Sequence, residues 1–124
     1  MKMYRCKTCG NIVVVVNDGG VNPVCCGQDM ELLIPGTSDG DVEKHVPKVT
    51  KNNCKVQIDV GSIPHPMTKE HYIKIILLET DKGLYIRYLK DGDVPSVEFT
   101  LTKDEVPIMA YSYCNIHSLF GARI

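Results

Sequence analysis

Charge of one sign, long apolar runs and sustained helical periodicity are all missing from this chain. Its 14 Lys and Arg against 15 Asp and Glu leave a formal net charge of -1, with the signs well mixed. A basic stripe for nucleic acid and an acidic disordered tail are therefore both excluded. No apolar run is long enough to span a bilayer, and the N-terminus lacks the basic, apolar and small-residue order of a signal peptide. The expectation is a soluble cytoplasmic protein that binds neither membrane nor nucleic acid. No window carries a 3.6-residue apolar period, so helices are not expected to build the core. Histidine is scarce too, with four in 124 residues.

Six cysteines are present. In a reducing cytosol they point to metal ligation or redox chemistry ahead of disulfides. Cys6-Lys7-Thr8-Cys9-Gly10 and Cys25-Cys26-Gly27 form two short knuckles whose four thiolates can enclose a tetrahedral metal, the glycines letting backbone N–H groups approach the sulfurs. A thioredoxin-like pair would open a helix, whereas Asn11 to Val16 is β-branched and reads as a strand. A vicinal Cys25–Cys26 disulfide would leave Cys6 and Cys9 without purpose. Zinc and iron share tetrahedral thiolate geometry, so the motif alone leaves the metal open.

Asn17-Asp18-Gly19-Gly20 reads as the turn of a hairpin joining Ile12–Val16 to the segment leading into Val24, with Met30 to Ile34 as a closing strand. A piece of about 35 residues needs such a metal staple, because hydrophobic cores below roughly 40 residues are usually insufficient. Pro35 to Asp41 combines breakers with small polar residues and reads as a linker. The expected domains are residues 1–36 and 37–124.

In the larger domain, Val56, Ile58 and Val60 alternate with polar residues, as do Val97, Phe99 and Leu101. His71 to Glu79 reads as a longer apolar strand, Asp81-Lys82-Gly83 as its turn, Leu84 to Leu89 as the return, and Ile108 to Tyr113 as the last strand. Short strands at this density indicate an all-β antiparallel sandwich. Cys54 continues the alternation of Val56 and reads as a small buried apolar residue. His45, His65 and His71 fall at strand ends or beside prolines, where sites are usually built. Cys114-Asn115-Ile116-His117 adds a thiolate and a fourth imidazole.

Together the cysteine knuckles, Glu43-Lys44-His45-Val46-Pro47, His65-Pro66-Met67, Glu70-His71-Tyr72 and Tyr113-Cys114-Asn115-Ile116-His117 resemble, in order, the superoxide reductases of the two-iron desulfoferrodoxin type. The resemblance implies a desulforedoxin-like module with one iron on Cys6, Cys9, Cys25 and Cys26, followed by an immunoglobulin-like β-sandwich. It implies a second iron on His45, His65, His71 and His117 with Cys114 as axial thiolate. Five ligands with one open position suit iron better than zinc, which normally stops at four. The implied activity is one-electron reduction of superoxide to hydrogen peroxide with electrons from a rubredoxin-like donor, in a homodimer. Lys44 would attract the anionic substrate and position a water, while Glu43 would take the open position after oxidation and displace product.

Asn115 and Ser118 are expected to offer backbone N–H groups to the Cys114 sulfur. Ser118 stands where the family pattern has glycine, with Gly121 three positions on as a shifted source of backbone freedom. Other readings of the same residues are a pure electron carrier and a non-catalytic, zinc-stabilised β-sandwich adaptor.

Overall fold

The computed structural model describes residues 1–36 and 40–124, so Thr37, Ser38 and Asp39 of the expected linker lie outside the described residues. The chain divides into two compact units, Met1–Ile34 and Pro35–Ile124. Pro35 and Gly36 go with the larger one, the Gly36 N–H donating to the Leu119 carbonyl at 2.8 Å. No helix among the described residues is long and apolar enough to cross a membrane.

The smaller unit differs from the expected hairpin. Strand β1 (Met3–Arg5) lies between β2 (Ile12–Val14) and β5 (Glu31–Leu32), antiparallel to both. β2 therefore pairs backwards onto β1, and the first knuckle is the hairpin loop. The Cys6 N–H bonds the Asn11 carbonyl at 2.8 Å, the Gly10 N–H bonds the Cys6 carbonyl at 3.0 Å, and Gly10 takes φ +81°. That left-handed residue turns the chain within the knuckle, a conformation glycine adopts without a Cβ clash. A second hairpin, β3 (Val24–Cys25) with β4 (Gln28–Asp29), closes over Cys26-Gly27. Asn17 to Gly20 does turn, the Gly20 N–H bonding Asp18 Oδ1 at 2.8 Å, but it joins no paired strands. Tyr4, Cys6 and Met30 form a small apolar cluster, and Met3 and Leu33 are buried as well.

The larger unit is a sandwich of two antiparallel sheets. One holds β10 (Ser96–Thr100), β7 (Lys55–Val60) and β6 (Pro47–Asn52); the other holds β12 (Ser118–Arg123), β11 (Pro107–Cys114), β8 (Ile73–Thr80) and β9 (Leu84–Tyr88). The alternation at Val56, Ile58, Val60, Val97 and Phe99 faces the shared core, which also takes in Ile73, Ile76, Leu78, Ala110 and Cys114. Two strands and a turn of helix went unread in the sequence. β6 is a polar edge strand whose side chains are mostly exposed, and β12 is interrupted by Gly121. α1 (Val42–His45) is a single helical turn, too short to show a period.

Cys54 is exposed, contrary to the expected burial. β7 begins at Lys55, and Asn53-Cys54 form the two-residue turn between Asn52 and its partner Lys55, with Asn53 at φ +55°. The alternation stops one residue short of Cys54.

At one end of the sandwich Glu105 gathers the strand ends. Its carboxylate accepts from Thr80 Oγ1 at 2.5 Å, Tyr85 OH at 2.9 Å, and Thr102 Oγ1 and N–H at 2.9 and 3.2 Å. The Thr80 bond first, then those of Tyr85 and Thr102, outweigh burial and hold the Glu105 pKa down at about 2, against 4.5 ordinarily. A carboxyl depressed on folding contributes stability that is complete above its unfolded pKa and lost as pH falls through the folded one. Glu105→Gln should unfold at lower urea than wild type at pH 7, with the gap closing between pH 4.5 and pH 2; a gap independent of pH would show that the carboxylate charge contributes nothing.

Candidate metal centres

In the small unit the sulfurs of Cys6, Cys9, Cys25 and Cys26 all lie within 4.8 Å of one another. Cys9 and Cys25 are 3.6 Å apart and Cys25 and Cys26 4.0 Å. A tetrahedron with metal–sulfur bonds of about 2.3 Å has edges of about 3.8 Å, so the four thiols fit one tetrahedral metal. The Cys9 N–H points at the Cys6 sulfur at 3.4 Å. Chiefly through this bond, with a further one from the Thr8 backbone, the Cys6 pKa is drawn down to about 6. The backbone donors to sulfur thus come from inside the knuckle, and the Gly10 N–H goes to a carbonyl instead.

The second centre is built where the two sheets end together. Pro47 opens β6 opposite Val60, which closes β7, so His45 just before one and His65 just after the other emerge side by side. In the other sheet Cys114 closes β11 opposite Ile73 at the start of β8 and Ser118 at the start of β12. His71 and His117 are thereby brought to the same edge. A register shift between Tyr113 and Cys114 re-aims the cysteine as the strand ends.

The four imidazoles form a pinwheel. Centroids of His45 and His65 are 4.5 Å apart, His65 and His71 4.6 Å, His71 and His117 5.1 Å, and His117 and His45 4.7 Å, each pair crossing at 72–89°. Across the ring, His45 and His71 are separated by 5.9 Å with planes only 30° apart. His45, His65, His71 and Cys114 bring their ligand atoms within 4.8 Å of each other. His117 Nδ1 is 3.0 Å from His45 Nε2 and 3.9 Å from the Cys114 sulfur. Metal–nitrogen bonds of about 2.1 Å at right angles put neighbouring nitrogens about 3.0 Å apart.

Hydrogen bonds fix which nitrogen faces inward. His45 Nδ1–H donates to the Asp41 carbonyl at 2.7 Å and His65 Nδ1–H to the Pro66 carbonyl at 2.6 Å, so both present an unprotonated Nε2 to the centre. His117 turns Nδ1 inward instead. The Nε2 atoms of His65 and His71 are buried without a hydrogen-bond partner, the condition a bound cation relieves. Burial holds the pKa of His65 down at about 4 and lowers those of His45 and His71, which keeps these imidazoles neutral and ligand-ready at pH 7. After burial and the neighbouring rings, the Lys44 ammonium also depresses His71, so the charge of the half-buried Lys44 reaches the ring. Glu43 is exposed on the same helical turn.

Burial raises the Cys114 pKa, while the backbone N–H groups of His117 and Ile116 oppose the rise. Asn115 and Ser118 are not among the groups that oppose it. The Asn115 N–H is spent on the Tyr72 carbonyl at 3.2 Å, and Ser118 pairs with Cys114 in the β11–β12 ladder. Asn115 works as a clamp. Its Oδ1 accepts from the Tyr72 N–H and its Nδ2 donates to the Glu70 carbonyl, both at 2.9 Å, which ties the Cys114–His117 turn to the segment carrying His71.

Two further residues escaped sequence reasoning. Phe120 stacks on His45 at 4.7 Å, and buried Ser112 donates to the His45 carbonyl at 2.6 Å. Their only signal is alternation about Cys114 and Ser118, which reads equally well as core.

Ser118 itself carries the left-handed backbone, at φ +66°. Gly121 does not; a Cβ there would meet Met109 Cε at 2.7 Å, the far end of a flexible side chain, and Pro35 Cβ and Tyr111 Cδ1 at 3.3 Å. A left-handed non-glycine residue costs roughly 1–2 kcal/mol, partly offset by the greater unfolded freedom of glycine. Ser118→Gly should raise the unfolding free energy by about 0.5–1 kcal/mol in urea titration at unchanged metal content; an unchanged or lowered midpoint would show that Ser118 bears no strain.

Comparison with known proteins agrees with this geometry. The family model "Desulfoferrodoxin, N-terminal domain" matches residues 1–33, and the model "Desulfoferrodoxin" matches residues 37–123. The chain is 46% identical to the desulfoferrodoxin of Nitratidesulfovibrio vulgaris over 121 residues, covering 98% of this chain and 94% of that one. It is 46% identical to a desulfoferrodoxin homolog of Archaeoglobus fulgidus, covering 97% and 94%. Among solved structures, the superoxide reductase of Treponema pallidum superposes with a TM-score of 0.81 at 31% identity, covering 98% of both chains. The one-iron superoxide reductase of Giardia intestinalis superposes with a TM-score of 0.58 at 30% identity, covering 66% of this chain and 97% of that one. With both family models matched in order over nearly its whole length, and with both ligand clusters assembled, the chain belongs to the desulfoferrodoxin family.

Proposed function

We propose that this chain is a superoxide reductase that converts superoxide and one external electron, with two protons, into hydrogen peroxide. The observation that carries the reading is the pinwheel of four imidazoles beside a buried thiol, a five-donor set at the sandwich end. His45, His65, His71, His117 and Cys114 would hold an iron, which would supply a one-electron couple for a small oxidant. A second iron on Cys6, Cys9, Cys25 and Cys26 would belong to the small unit, Met1–Ile34, with the catalytic site in the larger one, Pro35–Ile124.

The chain's own groups do the rest. The Nδ1–H bonds of His45 and His65 to backbone carbonyls orient these rings and raise their basicity as donors. The N–H groups of Ile116 and His117 withdraw charge from the Cys114 sulfur and moderate its donation. Lys44 attracts the anionic substrate and holds a water for proton delivery, an attraction stronger in a half-buried setting than in bulk water. Glu43, one residue before it, is the carboxylate that displaces product. Electrons come from a rubredoxin-like donor, and the protein is a cytoplasmic homodimer that engages no nucleic acid or membrane.

The test is iron and zinc per chain, read with the visible spectrum during mixing with superoxide. Two irons and a thiolate-to-iron band that grows as superoxide is consumed are expected. Zinc at the His–Cys centre, or no spectral response there, would leave an electron carrier or a structural protein. Within this reading, Lys44→Ala should slow superoxide capture about tenfold at low ionic strength, the deficit shrinking as salt screens the charge. An unchanged second-order rate in stopped flow would remove Lys44 from the mechanism.

A further inference from the structure

α1 is one turn of helix, and a single turn is not stable by itself, because nucleation fixes several residues for very few hydrogen bonds. Its internal bonds run from the Lys44 and His45 N–H groups to the Asp41 carbonyl and from the Val46 N–H to the Val42 carbonyl, each 3.1 Å. The carbonyls at its C-terminal end have no partner within the turn. They are satisfied from outside. The Glu43 carbonyl accepts from the Ile63 N–H at 3.2 Å and from Ser62 Oγ at 3.3 Å, and the Val46 carbonyl accepts from the Gly61 N–H at 3.1 Å.

Gly61 makes this contact sterically possible. At φ +85° it occupies the left-handed region, and a Cβ there would lie 2.7 Å from the Lys44 carbonyl oxygen, 2.8 Å from that of Glu43 and 2.3 Å from that of Ile63. All three are backbone atoms, which cannot swing aside as a side chain would. The same loop runs on to His65, whose N–H bonds the Val60 carbonyl at 3.3 Å. One short segment therefore joins an imidazole of the ring to the turn that carries Glu43 and Lys44.

We propose that Gly61 and Ser62 are positioning residues for the reaction: the 61–63 loop caps α1 from outside and so sets where the Lys44 ammonium stands relative to the imidazole ring. The inference rests on the role of Lys44 given above. Neither residue touches the reacting atoms. Their effect is to hold a charged side chain on a turn that would otherwise fray. A Cβ at position 61 separates loop from turn, and loss of the Ser62 hydroxyl removes one of the two donors to the Glu43 carbonyl.

The experiment compares wild type, Gly61→Ala, Ser62→Ala, Lys44→Ala and the double variant Gly61→Ala/Lys44→Ala as iron-loaded full-length proteins. The second-order rate with superoxide is measured against ionic strength. Gly61→Ala should lose about tenfold at low salt and show the flattened salt dependence of Lys44→Ala, with the double variant no slower than the slower single one. Amide hydrogen exchange over residues 42–46 in the zinc-loaded proteins, a readout independent of turnover, should be faster in Gly61→Ala and unchanged in Lys44→Ala.

Ser62→Ala should move both readouts in the same direction by less, and it carries the test should Gly61→Ala fail to fold. A wild-type salt dependence in Gly61→Ala or Ser62→Ala, or losses that multiply in the double variant, would overturn the inference while the role of Lys44 stands. Lys44→Ala with wild-type rate and salt dependence would overturn that role, and this inference with it.

Discussion

Buried imidazole nitrogens aimed at one point need a cation, and the larger unit is arranged around that constraint. An unsatisfied polar atom inside a protein costs about 1–3 kcal/mol, and His65 and His71 each bury an unpartnered Nε2. His45 and His65 cannot relieve this by turning over, because their Nδ1 protons are held by the carbonyls of Asp41 and Pro66. The cost is borne by the fold and returned on metal binding, when four lone pairs and one thiolate meet a common charge.

Two sheets of different parentage have to end at the same place for this to work. The three-stranded sheet delivers His45 and His65 from the paired ends of β6 and β7, and the four-stranded sheet delivers His71, Cys114 and His117. Cross-braces then fix the fragments to each other. Ser112 on β11 holds the His45 carbonyl, Asn115 holds the segment before β8, and Phe120 on β12 covers the His45 ring. Glu105 closes the far end of β8, where Thr80 and the start of β11 meet, so polar networks pin both ends of an otherwise apolar core.

The small unit solves a different problem with the same economy. Its strands are two or three residues long, and its buried apolar residues are Met3, Tyr4, Cys6, Met30 and Leu33. So little apolar burial cannot offset the entropy of ordering the chain. A metal held by four sulfurs at tetrahedral separations would supply the missing stabilisation, and each knuckle is also the turn of a hairpin. Fold and ligand set are one feature there.

What the sequence by itself determined was chemistry and alternation. Ligand types and their order follow from residue identity, and Val56, Ile58, Val60, Val97 and Phe99 take the buried positions their period of two implies. What only the tertiary structure decided was pairing, and which backbone groups are left over for the sulfurs. β2 pairs with β1 because the Cys6–Gly10 knuckle reverses the chain; the Asn17–Gly20 turn signal pointed to another partner. Cys54 is exposed because the strand ends one residue before the alternation would have buried it. The backbone groups that act on the Cys114 thiol are those of Ile116 and His117, while the Asn115 N–H is committed to the Tyr72 carbonyl. α1, β6 and β12 have patterns too short, too polar or too interrupted to read, and the carbonyls at the end of α1 find their donors in distant segments, the 61–63 loop and Ser112. Residue identity is local, whereas a hydrogen bond between distant segments depends on every other bond competing for the same groups.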